Sequence, residues 1–307
     1  MSFHTVAIVG VGLIGSSVAR AAREKGACSV IRLHDADPAV RDRARALRLG
    51  EVCDTAAEAV TGADLVVLAT PIGAMAAAAG DVAGALSEGA VLSDVGSTKR
   101  AVIEALAAHA PSHAFVVPGH PIAGTEQSGP DAGFASLFEN RWTILTPLDD
   151  PRPGYAEAVT KLSAFWEALG ARIEIMDADR HDLVLAITSH VPHLIAFNIV
   201  ATAEDLETVT ESEIVKYSAG GFRDFTRLAA SDPTMWRDVF LANREAVLEI
   251  LGRFTEDLAA LQRAIRWGDG AALHDLFSRA RRVRREVIEA GQDTAAPNWG
   301  RDQGGAE

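Results

Sequence analysis

The chain has 307 residues, of which 48% are hydrophobic and 23% charged, as is typical of a globular protein with two domains and a sizeable core. Its formal charge of −13 argues against nucleic acid or an anionic membrane as the main partner. The two cysteines, Cys28 and Cys53, form neither a CxxC pair nor a disulfide pattern, which fits a reducing compartment.

Residues 1–176 alternate short β-branched runs with alanine-rich segments, the pattern of βαβ units on a mainly parallel sheet. The first run begins at Val6, too early for a secretory leader, so we expect a cytoplasmic protein. The longest apolar stretch, residues 56–80, is interrupted by charged and helix-breaking residues and predicts no membrane span. Strands are predicted at residues 6–9, 29–33, 65–69, 90–93, 115–117, 142–145 and 172–175.

A glycine-rich turn follows the first strand in the sequence GVGLIG, where Gly10, Gly12 and Gly15 are spaced as in dinucleotide-binding proteins. The first glycine permits a tight turn, the second lets a pyrophosphate approach the backbone, and the third allows close helix packing. Leu13 and Ile14 lie where this turn enters the first helix. The strand, turn and helix together predict a phosphate-binding site.

Asp35 lies 20 positions after Gly15, at the end of the second predicted strand. A carboxylate there accepts hydrogen bonds from the adenosine ribose and repels a 2′-phosphate, so the sequence favours NAD over NADP. The neighbouring Arg32 and Arg41 keep NADP as an alternative. A simple turn residue is the alternative interpretation of Asp35.

Turn-forming and polar residues follow two further strands. Thr70 and Pro71 come after residues 65–69, and Ser97 lies in the sequence SDVGSTK after residues 90–93. The carboxyl ends of strands face the ligand crevice in open α/β sheets. We therefore expect Thr70 and Pro71 beside the cofactor, whereas Ser97 is equally suited to cap a helix.

His120 lies in a glycine- and proline-bounded loop, in the sequence GHPIAGTEQSG. A histidine beside a nicotinamide can take the proton of a hydroxyl as hydride leaves, and its near-neutral pKa suits that task. The alternative is a loop histidine that only makes hydrogen bonds.

Residues 177–290 carry apolar side chains at helical spacing, which predicts an all-helical second domain. The sequence SDP at residues 231–233 predicts a capped helix start, and the apolar stripe continues through Leu261. A helix of that length rarely buries its stripe within one small domain, so we expect a homodimer through this domain. Residues 291–307 show no periodicity and predict a disordered tail.

Three histidines lie near the start of this second domain, in the pair HD at residues 181–182 and in SHVPH at residues 189–193. Pro192 should kink the helix and free backbone groups. No cysteine or carboxylate cluster completes a recognisable metal-ligand spacing, so we predict no metal site.

Two arginines lie in the sequence GGFRDFTRLAASDPTMW, residues 220–236. A guanidinium offers a rigid bidentate fork for a carboxylate, which an acidic protein needs if its substrate is an anion. A surface ion pair explains Arg223 well and Arg227 less well.

Taken in order, GLIG, SDVGSTK, GHPIAGTEQSG, HD with SHVPH, and GGFRDFTRLAASDPTMW resemble the prephenate/arogenate dehydrogenase family. The resemblance extends from Val6 to about Arg282, and the last three motifs are not general features of dinucleotide folds. It implies an α/β Rossmann-type NAD-binding domain followed by an all-α dimerisation domain. In this family, the ring C4 hydroxyl of prephenate or arogenate is oxidised with NAD or NADP. The ring carboxylate leaves as carbon dioxide, on the route to tyrosine.

The resemblance also implies roles for individual residues. His120 would bind the C4 hydroxyl and assist its deprotonation, Ser97 would orient the hydroxyl and the histidine, and Arg227 would bind a carboxylate of the small cyclohexadienyl substrate. Further residues of the substrate site would be His193, Glu126, Asp224, Gly220 and Trp236. The two acidic members of this set would form an ionic network that controls access and positions Arg227.

Two alternatives remain at this point. A β-hydroxyacid dehydrogenase has a similar plan but relies on a lysine in its helical domain, and here Lys216, the only lysine beyond residue 177, lies outside the motifs. A non-catalytic NAD-binding dimer would need none of the reactive residues. The joint presence of His120, Ser97 and Arg227 argues against it.

Overall fold

The computed structural model describes residues 2–125, 127–205 and 220–289. It divides into two compact units, Met1–Ile250 and Leu251–Glu307. Glu126 and the tail predicted at residues 291–307 lie outside the described residues. The domain boundary predicted after residue 176 stays a prediction.

The strands build a doubly wound, Rossmann-type nucleotide-binding fold followed by helices. A six-stranded parallel sheet has the order β3-β2-β1-β4-β5-β6, and a three-stranded sheet has the order β7-β8-β9, with β7 antiparallel and β9 parallel to β8. The strands are β1 Thr5–Val9, β2 Val30–His34, β3 Glu51–Val52, β4 Leu65–Leu68, β5 Val91–Asp94, β6 Phe115–Val116, β7 Gly119–Pro121, β8 Trp142–Leu145 and β9 Arg172–Ile175.

All seven predicted strands are present, within one or two residues of their predicted bounds. Two more were missed, because β3 has only two residues and β7 contains Gly119 and Pro121, which are disfavoured inside strands. His120 therefore lies on a strand and not in the loop that the sequence predicted. Strand β7 packs beside β8, where Ile144 is paired with His120.

Helices cover both faces of the large sheet and continue after it. Alternate side chains of β1 enter opposite hydrophobic clusters, Val6 and Ile8 on one face and Ala7 and Val9 on the other, as expected of a central parallel strand. The helices are α1 Leu13–Lys25, α2 Pro38–Ala46, α3 Ala56–Val60, α4 Met75–Ala83, α5 Arg100–Ala107, α6 Tyr155–Ala168, α7 Ala178–Leu185, α8 Val191–Asp205, α9 Gly220–Thr226, α10 Pro233–Ala242, α11 Arg244–Trp267 and α12 Gly270–Glu289.

The long helix predicted from Pro233 onward is two helices, so that prediction was wrong in its length. Its start is as expected: Asp232 accepts a hydrogen bond from the Met235 amide at 2.7 Å, and Pro233 occupies the first turn. The helix ends at Asn243, whose backbone leaves the helical conformation with ψ 34. The side chain of Asn243 donates to the carbonyl oxygen of Asp182 at 2.8 Å, a tertiary contact that periodicity does not show.

Pro192 perturbs its helix without breaking it. A five-residue π-helical segment, Ala186–His190, lies immediately before α8 and connects it to α7. The ring of a proline crowds the preceding turn and removes an amide donor, and a wider π turn accommodates both effects. The disturbance expected at Pro192 thus takes the form of a π segment.

One helical run, Ala178–Asp205, is long and apolar enough to cross a membrane by length and composition. The sequence prediction of no membrane span missed this run because it considered residues 56–80. The run carries buried Asp182 and His190, both hydrogen-bonded to other parts of the protein, and such groups are expensive in lipid. Helices of protein interiors pass the same composition test, so it is weak evidence for a membrane span.

Candidate active site

Of the three glycines in the turn between β1 and α1, only the middle one has open space where a side chain would be. Gly10 has φ +96, and a Cβ there would lie 2.5 Å from the carbonyl oxygen of Ala69; a Cβ on Gly15 would lie 2.0 Å from the carbonyl oxygen of Gly10. Backbone packing therefore requires glycine at both positions. A Cβ on Gly12 would meet nothing within 4 Å, so the open space that a pyrophosphate needs lies over this residue, at the N-terminus of α1.

Leu13 and Ile14 form the first turn of α1 and are half-buried. Gly12 is the N-cap of this helix and makes no side-chain capping bond. The first amides of α1 are thus available to an anion.

Asp35 follows β2 and its carboxylate is held by two backbone amides, those of Val11 at 2.7 Å and Asp37 at 3.0 Å. A carboxylate has further lone pairs, so these bonds leave acceptor capacity for ribose hydroxyls. Both arginines that kept NADP open have other partners. Arg32 lies 3.3 Å from Glu51, and Arg41 donates to the carbonyl oxygen of Asp35 at 2.7 Å.

The carboxyl ends of β1, β4 and β5 lie side by side because these strands are neighbours in the sheet. Thr70 follows β4 and is half-buried, and Pro71 is exposed before the short 3-10 helix Ile72–Ala74. Ser97 follows β5 and is half-buried. Helix α5 begins at Arg100 with Lys99 at its N-cap position, so the N-cap alternative for Ser97 was wrong.

A buried ion pair joins the end of β5 to β7. The Lys99 ammonium lies 2.5 Å from the Asp94 carboxylate, both side chains fully buried, and it also donates to the carbonyl oxygen of Gly119 at 2.6 Å. Asp94 in turn accepts from the Gly119 amide at 3.1 Å. Burial lowers the pKa of Lys99 while Asp94 opposes that shift. The pair fixes the strand that carries His120.

Asp182, on α7, caps helix α5 from outside. Its two oxygens accept the Lys99 amide at 2.7 Å and the Arg100 amide at 3.0 Å, where the positive end of the helix dipole favours a carboxylate. Burial raises the pKa of Asp182, but bonds from His181 and these amides hold it below its usual value. The residue is therefore an anion that only accepts hydrogen bonds.

His120 belongs to a continuous chain of hydrogen bonds. Its Nδ1 lies 2.9 Å from Nε2 of His181, and Nδ1 of His181 lies 2.8 Å from Oδ1 of Asp182. Burial, with smaller contributions from His181, Lys99 and His190, lowers the pKa of His120 well below its ordinary value of 6.5. Burial also lowers the pKa of His181, against the opposing effect of Asp182. Both imidazoles are neutral at neutral pH.

Two further histidines line the helical side of this region. Burial lowers the pKa of His190 to about 4, and its Nδ1 lies 3.0 Å from the Asn243 side chain. His193 donates through Nδ1 to the carbonyl oxygen of Ser189 at 2.8 Å and stacks on Trp236 with ring centroids 3.7 Å apart. Among the described residues, no group of three or more histidine, cysteine or acidic side chains is placed to hold a metal ion.

Arg227 begins the 3-10 helix Arg227–Ala230 and is exposed. Burial lowers the pKa of His193, and the positive charge of Arg227 contributes to that shift. Gly220 and Asp224 lie on α9, where Asp224 pairs with Arg223 at 3.6 Å on the surface. The ionic network of Glu126 and Asp224 stays a prediction, because Glu126 lies outside the described residues.

Several residues without a predicted role surround His120 or bind its neighbours: Asp94, Lys99, His181, Asp182, His190 and Asn243. Several were visible as parts of motifs. A lysine five residues after a strand-end aspartate, in SDVGSTK, indicates a local ion pair. An HD pair near the start of a helix indicates a histidine oriented by the neighbouring carboxylate. The role of Asn243 was not indicated, because one polar residue in an otherwise regular apolar pattern does not reveal its partner 61 positions away.

The chain is similar to known proteins over most of its length. The family profile "Prephenate dehydrogenase, nucleotide-binding domain" matches residues 18–175, and "Prephenate dehydrogenase, dimerization domain" matches residues 177–279. The chain is 45% identical to a cyclohexadienyl dehydrogenase of Zymomonas mobilis, over 92% of this chain and 95% of the relative. It is 31% identical to a prephenate dehydrogenase of Bacillus subtilis, over 91% of this chain and 75% of the relative.

A solved structure is also similar. It is the prephenate dehydrogenase of Aquifex aeolicus in complex with hydroxyphenyl propionate and NAD+. The TM-score is 0.85 at 32% identity, with 94% of this chain and 99% of that chain covered. The likeness therefore extends over both the nucleotide-binding fold and the helices that follow.

Proposed function

The chain belongs to the prephenate dehydrogenase family, and on that premise we propose that it oxidatively decarboxylates both prephenate and arogenate, with NAD, in tyrosine biosynthesis. The observation that carries the proposal is the buried His120, hydrogen-bonded to His181 beside the carboxyl ends of the strands. The Zymomonas relative is named a cyclohexadienyl dehydrogenase, after the ring that prephenate and arogenate share. This name favours activity on both substrates. We place the activity in the cytoplasm.

The glycine turn and Asp35 suit the two ends of an adenosine diphosphate. The pyrophosphate would lie over Gly12 at the start of α1, with Leu13 and Ile14 contributing the first helical turn. Asp35 would accept the ribose hydroxyls, and Thr70 with Pro71 would border the cofactor after β4. Bound NAD supplies the hydride acceptor of the reaction.

Asp35→Ser is expected to weaken NAD binding roughly 10- to 100-fold, because a hydrogen bond to a charged group is worth about 1.5–3 kcal/mol. It should also narrow the preference for NAD over NADP, since the carboxylate no longer repels a 2′-phosphate. Titration of both dinucleotides by fluorescence measures this. Asp42→Asn removes a charge from the exposed face of α2 and should leave both affinities unchanged. An unaltered NAD affinity in Asp35→Ser would remove Asp35 from the cofactor site.

His120 provides the base for the substrate hydroxyl. The O–H proton passes to the neutral imidazole as the ring C–H bond gives up its hydride, and Ser97 orients the hydroxyl. The electrons of the bond to the ring carboxylate then enter the ring as carbon dioxide leaves. The resulting phenolate takes the proton back from His120, so the histidine ends the cycle neutral.

The helical side of the site binds the rest of the substrate. Arg227 pairs with a substrate carboxylate, while the stacked His193 and Trp236 form an aromatic wall. The Nε1 atom of Trp236 is buried and has no hydrogen-bond partner among the described residues, which leaves it available to a bound dianion. Asp224 and Gly220 would border this side from α9, and Glu126 would belong to the same substrate site, as the resemblance to the family implies.

The pH profile should report His120 directly. Because its pKa lies well below 6.5, kcat/KM for prephenate is expected to stay level from neutral pH to below 6.5. It should fall only at lower pH, as the base becomes protonated. Burial is the main cause of this low pKa, and the ionisable neighbours that add to it are His181, Lys99 and His190. An acid limb centred at or above 6.5 would contradict the neutral-base account.

Two copies of the chain associate through the helical region. Leu241 and Leu248 are 67% and 58% exposed on α10 and α11. Exposure of such large apolar side chains to water is unfavourable in a monomer and marks an interaction surface. In the unit that begins at Leu251, Ile265 and Trp267 are 68% and 76% exposed. The matched family description names this region a dimerisation domain. A homodimer would bury these side chains.

The test of the proposed function is the formation of NADH with NAD, and of NADPH with NADP, from prephenate and from arogenate in parallel. NADH from both substrates supports dual use, and NADH from one alone restricts the proposal to that substrate. Failure with both, in folded protein that binds NAD, would overturn the proposed function.

A further inference from the structure

The hydrogen-bond chain behind His120 determines which of its nitrogens can act as the base. A neutral imidazole has one N–H donor and one acceptor nitrogen, and the partner of one nitrogen decides the state of the other. The identity of the free nitrogen is therefore a structural property, set by whatever ends the chain.

Asp182 ends it. Its carboxylate is ionised and already bound by the amides of Lys99 and Arg100, so it can only accept from His181. The hydrogen atom of His181 must therefore lie on Nδ1, 2.8 Å from Oδ1 of Asp182. This leaves Nε2 of His181 as an acceptor. At 2.9 Å from that atom, Nδ1 of His120 must be the donor.

We infer that His181 and Asp182 are positioning residues that fix His120 as its Nδ1–H tautomer, so that the lone pair on Nε2 receives the proton of the substrate hydroxyl. This inference rests on the proposed function for its chemical consequence. Its structural content, the tautomer of His120, does not depend on turnover.

The pair also stabilises the charge that forms. When Nε2 of His120 takes the hydroxyl proton, the ring becomes a cation in a buried cluster that already contains Lys99. The Nδ1–H of His120 points at His181, whose own N–H points at the Asp182 carboxylate, so the positive charge is drawn toward an anion. The amides at the start of α5 hold that anion in place without neutralising it.

The direct test is long-range 15N–1H NMR of the histidine rings in the full-length protein at neutral pH. His120 and His181 are each expected to show a protonated Nδ1 and an unprotonated Nε2. The signals are identified by their loss in His120→Asn and in His181→Gln. A protonated Nε2 on neutral His120 would overturn the inference, whether or not the protein turns over prephenate.

Kinetics with two His181 variants test the consequence. His181→Leu removes the acceptor and should lower kcat by about 100-fold with little change in KM, as expected when a base is held in the wrong tautomer. His181→Gln offers an amide oxygen near the position of Nε2 and should recover roughly tenfold of that loss. His113→Leu removes a histidine that bonds the carbonyl oxygen of Leu86 at 2.9 Å, remote from the site, and serves as the control.

The possible outcomes separate the two claims. A His181→Leu protein with the kcat of the parent chain would overturn the positioning role. Inactivity of the parent chain itself on both substrates would instead overturn the proposed function, while the NMR result would still decide the tautomer.

Discussion

His120→Asn is expected to lower kcat roughly 100- to 10,000-fold, the usual contribution of a positioned general base. The asparagine amide can still hydrogen-bond, but it cannot carry the hydroxyl proton. NAD affinity should stay near that of the parent chain, because the glycine turn and Asp35 are separate from β7. Steady-state rates and NAD titration on the same preparation measure both quantities.

The control for this variant is His113→Asn, which makes the same exchange at a histidine outside the site. It should retain the parent kcat. If His120→Asn also kept the parent kcat, then another group would have to accept the proton, and the mechanism given above would lose its base.

Arg227→Ala is expected to weaken prephenate binding by about 2–3 kcal/mol, or roughly 30- to 150-fold. Loss of one partner of a buried charge pair costs about 2–5 kcal/mol. The lower end applies because the guanidinium is exposed to solvent in the free protein, which screens it. Substrate affinity is measured as KM and as the dissociation constant from tryptophan fluorescence.

Arg227→Lys distinguishes charge from geometry. A lysine keeps the positive charge but not the bidentate fork, so its affinity should fall between those of the parent chain and Arg227→Ala. Arg45→Ala removes a cation that pairs with Asp54 on the surface and should have no effect on KM. An unchanged affinity in Arg227→Ala would assign the carboxylate to a different arginine.

The local features of this fold were predictable from the sequence because their causes are local. The alternation of apolar runs with alanine-rich segments predicted the strands. The GVGLIG turn predicted the start of α1, and the Asp232 cap with Pro233 predicted the start of α10. The family followed from motifs that occur in a fixed order. Strand β7 was not predicted because it contains a glycine and a proline, which are disfavoured inside strands. Its pairing with β8 nevertheless makes it a strand.

The surroundings of His120 could not be predicted, because they depend on contacts between distant parts of the chain. His120 and His181 are 61 positions apart, and Asp182 reaches the amide of Lys99 across 83 positions. No periodicity links such residues. The same reason explains the error over α10 and α11, where Asn243 leaves the helix to bind the carbonyl of Asp182.

The most direct test of the account is the coupling of oxidation to decarboxylation. Prephenate with an isotope-labelled ring carboxylate should release labelled carbon dioxide in equal amount to the NADH formed, and both should fall together in His120→Asn. NADH without labelled carbon dioxide would show an alcohol dehydrogenase that leaves the ring carboxylate in place. That result would contradict the reaction proposed for this chain.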